Sequence, residues 1–260
     1  MNVRLSSRRT PRGTNAATLR TCAFVFVTVG VLGRSILQNV FLGVNSLTGQ
    51  EMLTLLETEP AAMAILTAAL LCKLVESCAA PLLVFLLVEG FLHTSGFEKY
   101  LTRIGVLALI TELPYNLAMN GKLLHFGSRN PVFALFLCLV MLHFFNRYAG
   151  KSMKNIAVKV LIFVCAFLWC RMLNIEQGHC LVVLAAVLWC VREKGNFRAV
   201  FAFGGAMLCT MFDMFYIGSC MSCIMLHRYN GERGEQNPKF NYAFYPALLL
   251  IAGIAAKYIG

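Results

Sequence analysis

Glu89 and His93 carry the most direct chemical signal in the sequence because they stand four residues apart. On a helix that spacing places both side chains on one face. A carboxylate that accepts a hydrogen bond from an imidazole N–H fixes the tautomer of the ring and raises its basicity. The pair is therefore a candidate general base for deprotonating an amine or a hydroxyl. The alternative is a buried structural hydrogen bond, and a zinc motif is excluded because it needs a second histidine.

A third carboxylate, Glu112, precedes Pro114 by two residues. A proline inside a helix leaves a backbone carbonyl one turn upstream without its donor. Membrane proteins tolerate such irregularities mainly beside protein or a water-filled cavity. We therefore predict that Glu112 is a catalytic residue that points into a polar cavity near the helix of Glu89.

Other ionisable residues also fall inside apolar runs, where a charge costs about 2.5–3.5 kcal/mol on insertion scales. Lys73 and Glu76 are three residues apart, which predicts an ion pair within one helix. Arg34 and Gln38 form a polar stripe that fits either interhelical hydrogen bonds or contact with an anion. Asp213 is expected to hydrogen bond to a neighbouring helix.

The composition decides the class of protein in which these residues lie. Hydrophobic residues make up 58% of the 260 residues, charged residues make up 13%, and the mean hydropathy is +0.69. A soluble globular protein is about 45–50% apolar and about 25% charged. The sequence therefore excludes a cytosolic enzyme, a disordered chain and a small disulfide scaffold. It predicts an all-α, polytopic bundle of transmembrane helices.

Breaks in the apolar pattern divide the chain into runs of residues that could cross a membrane. The runs are 22–44, 61–93, 100–119, 131–148, 155–173, 178–191, 199–227 and 240–258. The first has about the length needed to cross ~30 Å of hydrocarbon. The runs 61–93 and 199–227 are long for one helix, so eight to ten spans are possible. The predicted domains are a basic cytoplasmic tail, 1–21, and a single transmembrane helical domain, 22–260.

The charge balance favours eight spans over ten. The chain has 23 Lys and Arg against 12 Asp and Glu, a net charge of +11. Basic residues concentrate in the cytoplasmic loops of membrane proteins. Eight spans with both termini in the cytoplasm place most basic loop residues inside, whereas ten spans place the cluster 147–159 outside. No basic patch alternates with exposed aromatic residues, so a nucleic-acid partner is not expected.

The cysteines indicate packing rather than a metal site or a disulfide framework. There are 11 of them, nearly all inside apolar runs, where cysteine behaves as a small hydrophobic residue. Cys220 and Cys223 form a CxxC pair, but no second pair or nearby histidine completes a metal site. We therefore predict no metal ligands.

Three stretches together resemble one family. The first, 81–94, contains Glu-Gly-Phe-Leu-His-Thr, and the second, 110–118, contains Thr-Glu-Leu-Pro-Tyr-Asn. The third, 228–234, reads Arg-Tyr-Asn-Gly-Glu-Arg-Gly and is followed at 242–246 by Tyr-Ala-Phe-Tyr-Pro. Their order and content resemble the TraX family of membrane proteins, which is named for the conjugative F-pilin acetylase. The resemblance extends from about Pro81 to the end of the chain.

The resemblance implies acetyl transfer from acetyl-CoA to an amine or hydroxyl, in a multi-pass protein of the bacterial plasma membrane surrounded by lipid. The acceptor would be a peptide N-terminus, a glycan or a lipid. Glu89 and His93 would remove the acceptor's proton, and basic residues on the cytoplasmic face would meet the phosphates of coenzyme A. The predicted substrate-binding residues are Arg34, Asn116, Asn130, Tyr229, Asn230 and Tyr245.

The sequence departs from the family pattern at two places. Members commonly carry an Asp-His pair in the first span, where this chain has Arg34, Gln38 and Asn39. Members commonly end in Tyr-Pro-x-His, whereas no histidine follows Tyr245 and Pro246 here. The alternatives are therefore a divergent enzyme, a catalytically inactive relative, and a membrane transporter for a small solute. The transporter is disfavoured because no inverted repeat is visible.

The segment 228–241 is predicted to be an ordered loop. Asn230 and Gly231 form a strong turn pair, and Gly234 and Pro238 add further turn signals. In the eight-span arrangement this loop would cover the outer mouth of the cavity.

Overall fold

The computed structural model describes residues 13–150, 152–194, 197–235 and 237–259. Most of the predicted basic tail, including Arg4, Arg8, Arg9 and Arg12, lies outside the described residues. In the described part every regular element is a helix. The α-helices are α1 Ala16–Leu32, α2 Gly49–Thr58, α3 Pro60–Ser77, α4 Ala79–His93, α5 Phe97–Asn120, α6 Val132–Arg147, α7 Met153–Met172, α8 Gly178–Cys190, α9 Phe197–Cys209, α10 Ser219–His227 and α11 Pro238–Ile259. A π-helix, Gly33–Phe41, continues α1, and a 3₁₀ helix, Met214–Gly218, precedes α10.

The helices are those of a membrane protein. Four helical stretches are long and apolar enough to cross a bilayer: Ala16–Phe41, Pro60–His93, Met153–Met172 and Pro238–Ile259. Shorter apolar helices are Val132–Arg147, Gly178–Cys190, Phe197–Cys209 and Met214–His227. Large apolar side chains such as Leu109 and Met172 are exposed on the outside of the bundle, where only lipid would cover them. The predicted all-α membrane fold is confirmed.

Local sequence signals account for several helix ends. Asn15 begins α1 by accepting a hydrogen bond from the Thr18 amide at 2.9 Å. Thr48 and Glu51 form a reciprocal capping box at the start of the exposed helix α2, and these hydrogen bonds lower the pKa of the Glu51 carboxyl. Gly121 ends α5 in the left-handed region, at φ 65°, where glycine has no Cβ penalty.

The start of α1 lies beside the segment that follows α10. The Thr14 amide donates to the Arg228 carbonyl at 2.8 Å, and the Asn230 amide donates to the Thr14 carbonyl at 3.0 Å. The Ala16 amide donates to the Glu232 carbonyl at 2.9 Å. We call the end of the bundle that contains these residues the basic end.

The opposite end, which we call the far end, gathers the π-helix and the last turns of α5 and α11. The Asn39 amide donates to the Met119 carbonyl at 3.0 Å, and the Ser35 hydroxyl donates to the Ala252 carbonyl at 3.2 Å. A Cβ at Gly253 would lie 2.9 Å from the backbone nitrogen of Ala118, so α11 packs closely on α5. Helix α11 therefore runs in the same direction as α1 and ends at the far end.

The long run 199–227 is not one crossing. It folds into α9 and α10, which pack against each other as a hairpin with its turn at the far end. The Cys209 thiol lies 3.6 Å from the Cys180 carbonyl, which places the end of α9 beside the start of α8. The other long run stays together as α3 and α4, interrupted by one turn at Cys78.

The number of helical segments falls within the predicted range of eight to ten spans. In the part of the chain that the structure describes, nine helical segments run between the two ends. They are α1 with the π-helix, α3 with α4, then α5, α6, α7, α8, α9, the 3₁₀ helix with α10, and α11. Nine crossings would put the two ends of the described chain on opposite sides of a membrane, whereas eight or ten would put them on the same side. The sequence pattern left the run 199–227 as one span or two, because its turn carries only one charged residue, Asp213.

Basic residues are distributed unequally between the two ends. Those at or near the basic end are Arg20, Lys99, Arg103, Arg147, Lys154, Lys159, Arg192, Lys194, Arg198, Arg228, Arg233 and Lys239. Those at the far end, apart from the interior residues Arg34 and Lys73, are Lys122, Arg129, Arg171 and Lys257. The positive-inside rule therefore predicts that the basic end is cytoplasmic.

Single cysteines at Lys239 and Lys257, in a cysteine-free background, test this arrangement. We expect a membrane-impermeant thiol reagent to label position 257 from outside, and position 239 only after the membrane is opened. The eight-span arrangement predicts the reverse for both positions. A cysteine at Lys154 is the matched control because both arrangements place it inside.

Candidate functional site

The last turn of α4 presents Glu89 and His93 at the basic end. The Nδ1 atom of His93 lies 2.9 Å from the backbone carbonyl of Glu89 and 3.7 Å from its carboxylate. A carbonyl oxygen only accepts, so Nδ1 carries the proton and Nε2 of the neutral ring keeps its lone pair. The expected carboxylate–imidazole hydrogen bond is thus replaced by one from the ring to the backbone. The His93 side chain is 75% exposed, which leaves Nε2 accessible.

Glu89 is held by an arginine from another helix. The Arg198 guanidinium, at the start of α9, donates to the Glu89 carboxylate and also to the Arg192 carbonyl just beyond α8. Arg198 Nε is buried and has no hydrogen-bond partner among the described residues. The guanidinium of Arg192 lies 4.1 Å from the ring centroid of Trp189. Glu89 therefore fixes α4 to the segment that joins α8 and α9.

The third family-like stretch meets the first at this end. The ring of Tyr229 packs edge-on against Phe85, one turn before Glu89, with centroids 5.0 Å apart. Burial and the nearby Glu89 carboxylate raise the pKa of Tyr229, while Arg198 opposes that shift. Tyr229 therefore belongs to the site of Glu89 and His93, which we call the basic-end site.

The loop containing Asn230 is held by backbone and side-chain hydrogen bonds. The Asn230 side-chain oxygen accepts from the Glu232 backbone amide at 2.9 Å, and the Asn230 side-chain amide donates to the Glu232 carboxylate at 3.1 Å. Gly231 and Gly234 adopt positive φ angles of 80° and 67°. The order of the whole loop stays a prediction, and its described residues lie at the basic end, where they cannot cover a mouth at the far end.

A second polar centre lies at the far end. The Arg34 guanidinium, from the π-helix, donates to the Glu176 carboxylate in the turn before α8. The hydroxyl of Tyr115, from α5, donates to the other oxygen of the same carboxylate. Tyr115 is 1% exposed, so this contact is internal. Sequence reasoning missed Glu176 because a single acid in a short turn resembles an ordinary loop residue.

Glu112 joins the same end through the segment before α6. The Asn130 side-chain amide donates to its carboxylate at 2.6 Å, and the Arg129 guanidinium does so at 3.2 Å. Asn130 also donates to the Ala108 carbonyl at 3.0 Å. Helix α5 continues through Pro114 without a break, and Glu112 points inward as predicted.

The structure does not bring Glu112 to Glu89. The backbone amide of Glu176 donates to the Arg129 carbonyl at 3.0 Å. Because Arg129 also binds Glu112 and Glu176 lies just before α8, Glu112 lies near the start of α8. Glu89 reaches Arg192 beyond the end of α8 through Arg198. The 13 residues of α8 span roughly 20 Å at 1.5 Å per residue. The predicted catalytic set is therefore divided between the two ends.

The predicted substrate-binding residues are divided in the same way. Arg34, Asn116, Asn130 and Tyr245 are at the far end, whereas Tyr229 and Asn230 are at the basic end. Asn116 is 1% exposed, and its side-chain oxygen has no partner among the described residues. Tyr245 packs against the cluster that contains Tyr115.

The predicted ion pair between Lys73 and Glu76 is wrong. The Lys73 ammonium lies 3.0 Å from the Asp213 carboxylate and 4.3 Å from the ring centroid of Phe215. The turn of the α9–α10 hairpin supplies both partners. A spacing of three in sequence could not reveal this competing contact.

Comparison with known proteins gives one match. The family model described as TraX protein matches residues 16–255, nearly the whole chain. No curated protein and no solved structure matches the chain.

Replacing Glu112 with alanine tests the far-end contacts. The change leaves the Arg129 guanidinium and the Asn130 amide without their acceptor, so we expect a loss of about 2 kcal/mol or more in the free energy of unfolding. Leu109→Ala is the control, since Leu109 is 67% exposed on the same helix. Detergent-induced unfolding followed by tryptophan fluorescence measures both. Equal stability of the two variants would contradict the role of Glu112.

Proposed function

This chain belongs to the TraX family, and on that premise we propose that it is an integral membrane acetyltransferase that moves an acetyl group from acetyl-CoA to an amine or hydroxyl. The observation that carries the proposal is the hydrogen bond from His93 Nδ1 to the Glu89 carbonyl. It leaves Nε2 as an exposed proton acceptor at the end of the bundle that is rich in basic residues. Acyl transfer needs such a base for the attacking group.

His93 takes the acceptor's proton in this proposal. Glu89 acts through Arg198, because their ion pair fixes α4 to the start of α9. Arg198 has one buried donor without a partner among the described residues, Nε. A donor of this kind stabilises the charge that develops on a carbonyl oxygen during acyl transfer.

The basic end also has residues that fit the acyl donor. Coenzyme A carries several phosphates, and arginine and lysine are the side chains that bind phosphate best. A groove between α1 and the start of α11 is lined by Ala17, Arg20, Thr21, Phe24, Glu235, Asn237, Phe240 and Asn241. Its amides and aromatic rings suit the base and ribose of a nucleotide, and Arg20 suits a phosphate, whereas the Glu235 carboxylate would repel one. We infer that the acyl donor binds at this end, on the cytoplasmic side.

Glu112, which the sequence placed in the catalytic set, has a different role in this proposal. Its carboxylate is occupied by Arg129 and Asn130 at the far end. It therefore acts as a positioning residue for α5 and α6. The acceptor in this proposal is a peptide N-terminus, a glycan or a lipid.

The second candidate function is transport of a small solute. It is favoured by the far-end charges, because ionisable groups inside a membrane bundle suit ion or proton coupling. Arg34, Glu176, Lys73 and Asp213 form two such ion pairs. A transporter would need these residues and would not need His93.

Transfer of labelled acetyl groups from acetyl-CoA into membrane material tests the enzyme. We expect His93→Ala to reduce transfer by about 10²–10⁴-fold, the usual contribution of a general base. Glu89→Gln should also reduce it, and the double variant should be no worse than the poorer single variant because the residues act as a unit. His125→Ala is the matched control, since His125 lies in the loop after α5 at the far end.

Full activity of His93→Ala would show that His93 is not the base. No transfer by the wild type to peptide, glycan or lipid acceptors would favour the transporter or an inactive relative. Loss of activity in His125→Ala to the same degree as in His93→Ala would indicate a general folding defect.

A further inference from the structure

Glu76 is a half-buried carboxylate that forms no ion pair with any cation among the described residues. The structure gives three ion pairs at the far end: Arg34 with Glu176, Lys73 with Asp213, and Arg129 with Glu112. Glu76 takes part in none of them. Its carboxylate also makes no hydrogen bond to any residue that the structure describes.

The Glu76 carboxylate packs directly against the backbone of α1. A Cβ at Gly30 would lie 2.3 Å from both the carboxyl carbon and one oxygen of Glu76. Gly30 therefore provides the space that the carboxylate occupies. No donor from α1 compensates for that contact, since α1 supplies only apolar surface at this point.

The charged and titratable groups around Glu76 come from every neighbouring element. They are Arg34, Lys73, Glu176, Asp213, Tyr216 and Tyr245. The two cations are already paired with the two other carboxylates. The hydroxyl of Tyr216 is also occupied, because it lies 3.1 Å from the Gln177 side-chain oxygen.

An ionised Glu76 would therefore give this group of side chains one uncompensated negative charge. Glu76 is half-buried, and a carboxylate that lacks both a cationic partner and full hydration is stabilised by taking up a proton. Bound alkali or divalent cations are held by several oxygen ligands. The neighbouring carboxylates Glu176 and Asp213 are already engaged by Arg34 and Lys73. No group of three or more acidic, histidine or cysteine side chains among the described residues could hold a metal ion, so a proton is the positive charge that fits.

We propose that Glu76 is a proton-binding site within the membrane bundle, held as a neutral carboxylic acid between the Arg34–Glu176 and Lys73–Asp213 ion pairs. The carboxyl group takes up a proton from the surrounding solution to form its O–H bond and returns it by the same route. Glu76 is only partly buried, and the Arg34 and Lys73 side chains are 33% and 37% exposed, so water can reach the group from the far end. The site does not depend on acyl transfer.

Infrared spectroscopy of the full-length protein in lipid nanodiscs tests the proposal. At pH 7 we expect a carboxylic-acid carbonyl band in the wild type that shifts in D₂O and disappears in Glu76→Gln. Glutamine is neutral and has nearly the same shape, so it mimics the protonated side chain. Glu112→Gln is the matched control, because its carboxylate is paired with Arg129 and its loss should leave the band unchanged.

A second measurement on the wild type does not depend on how the variant folds. Labelling glutamate with ¹³C at the side-chain carboxyl should shift the same band, which assigns it to a glutamic acid. Absence of a band in the wild type at pH 7, or persistence of the full band in Glu76→Gln, would overturn the proposal. A band that appears in choline chloride but vanishes in sodium or potassium chloride would assign the site to an alkali cation and would also overturn it.

Discussion

The ion pair between Arg34 and Glu176 is the interaction on which the far end of the molecule depends. A guanidinium is always charged, so Arg34 cannot lie inside an apolar bundle without an anion. Glu176 supplies that anion from the turn before α8, and Tyr115 satisfies its second oxygen from α5. One carboxylate thus joins the first, third and sixth passes of the chain.

That constraint also organises the neighbouring polar residues. Arg129 itself pairs with Ile175 in an isolated parallel bridge, which places it next to the turn that holds Glu176. Arg129 in turn meets Glu112, and the Asn130 side-chain oxygen accepts from the Val132 amide at 3.0 Å at the start of α6. The interior of the far end therefore contains three ion pairs, and Glu76 takes part in none of them. The basic end is simpler, since one ion pair between Glu89 and Arg198 joins α4 to α9.

The sequence predicted those features that depend on local pattern. Composition predicted the all-α membrane fold, the spacing of four put Glu89 and His93 on one face, and Asn230 with Gly231 predicted the turn after α10. It could not predict contacts chosen by tertiary packing. Lys73 had Glu76 available three residues away, yet Asp213 from a distant turn became its partner.

The turn between α9 and α10 shows why the sequence left the number of passes open. A turn inside a membrane protein is usually recognised by charged or glycine-rich residues, and residues 210–213 offer only Thr210 and Asp213 among apolar neighbours. Asp213 is nonetheless the structural marker of the turn. It accepts from the Phe215 amide at 3.1 Å and so begins the 3₁₀ helix, while its other oxygen holds Lys73. Its two contacts exist only after α3 and the hairpin have packed together.

Arg34 cannot supply a base in this chain, because an arginine that is permanently charged and paired with Glu176 cannot accept a proton. Among the 5 histidines, the ring of His143 stacks on Phe97 with centroids 4.3 Å apart, and that of His179 packs edge-on against Phe212. His93 instead has one nitrogen held by a carbonyl of its own helix, and its side chain is 75% exposed. If the chain retains acyl transfer, the reaction takes place at the basic end, and the far end stabilises the fold and binds a proton.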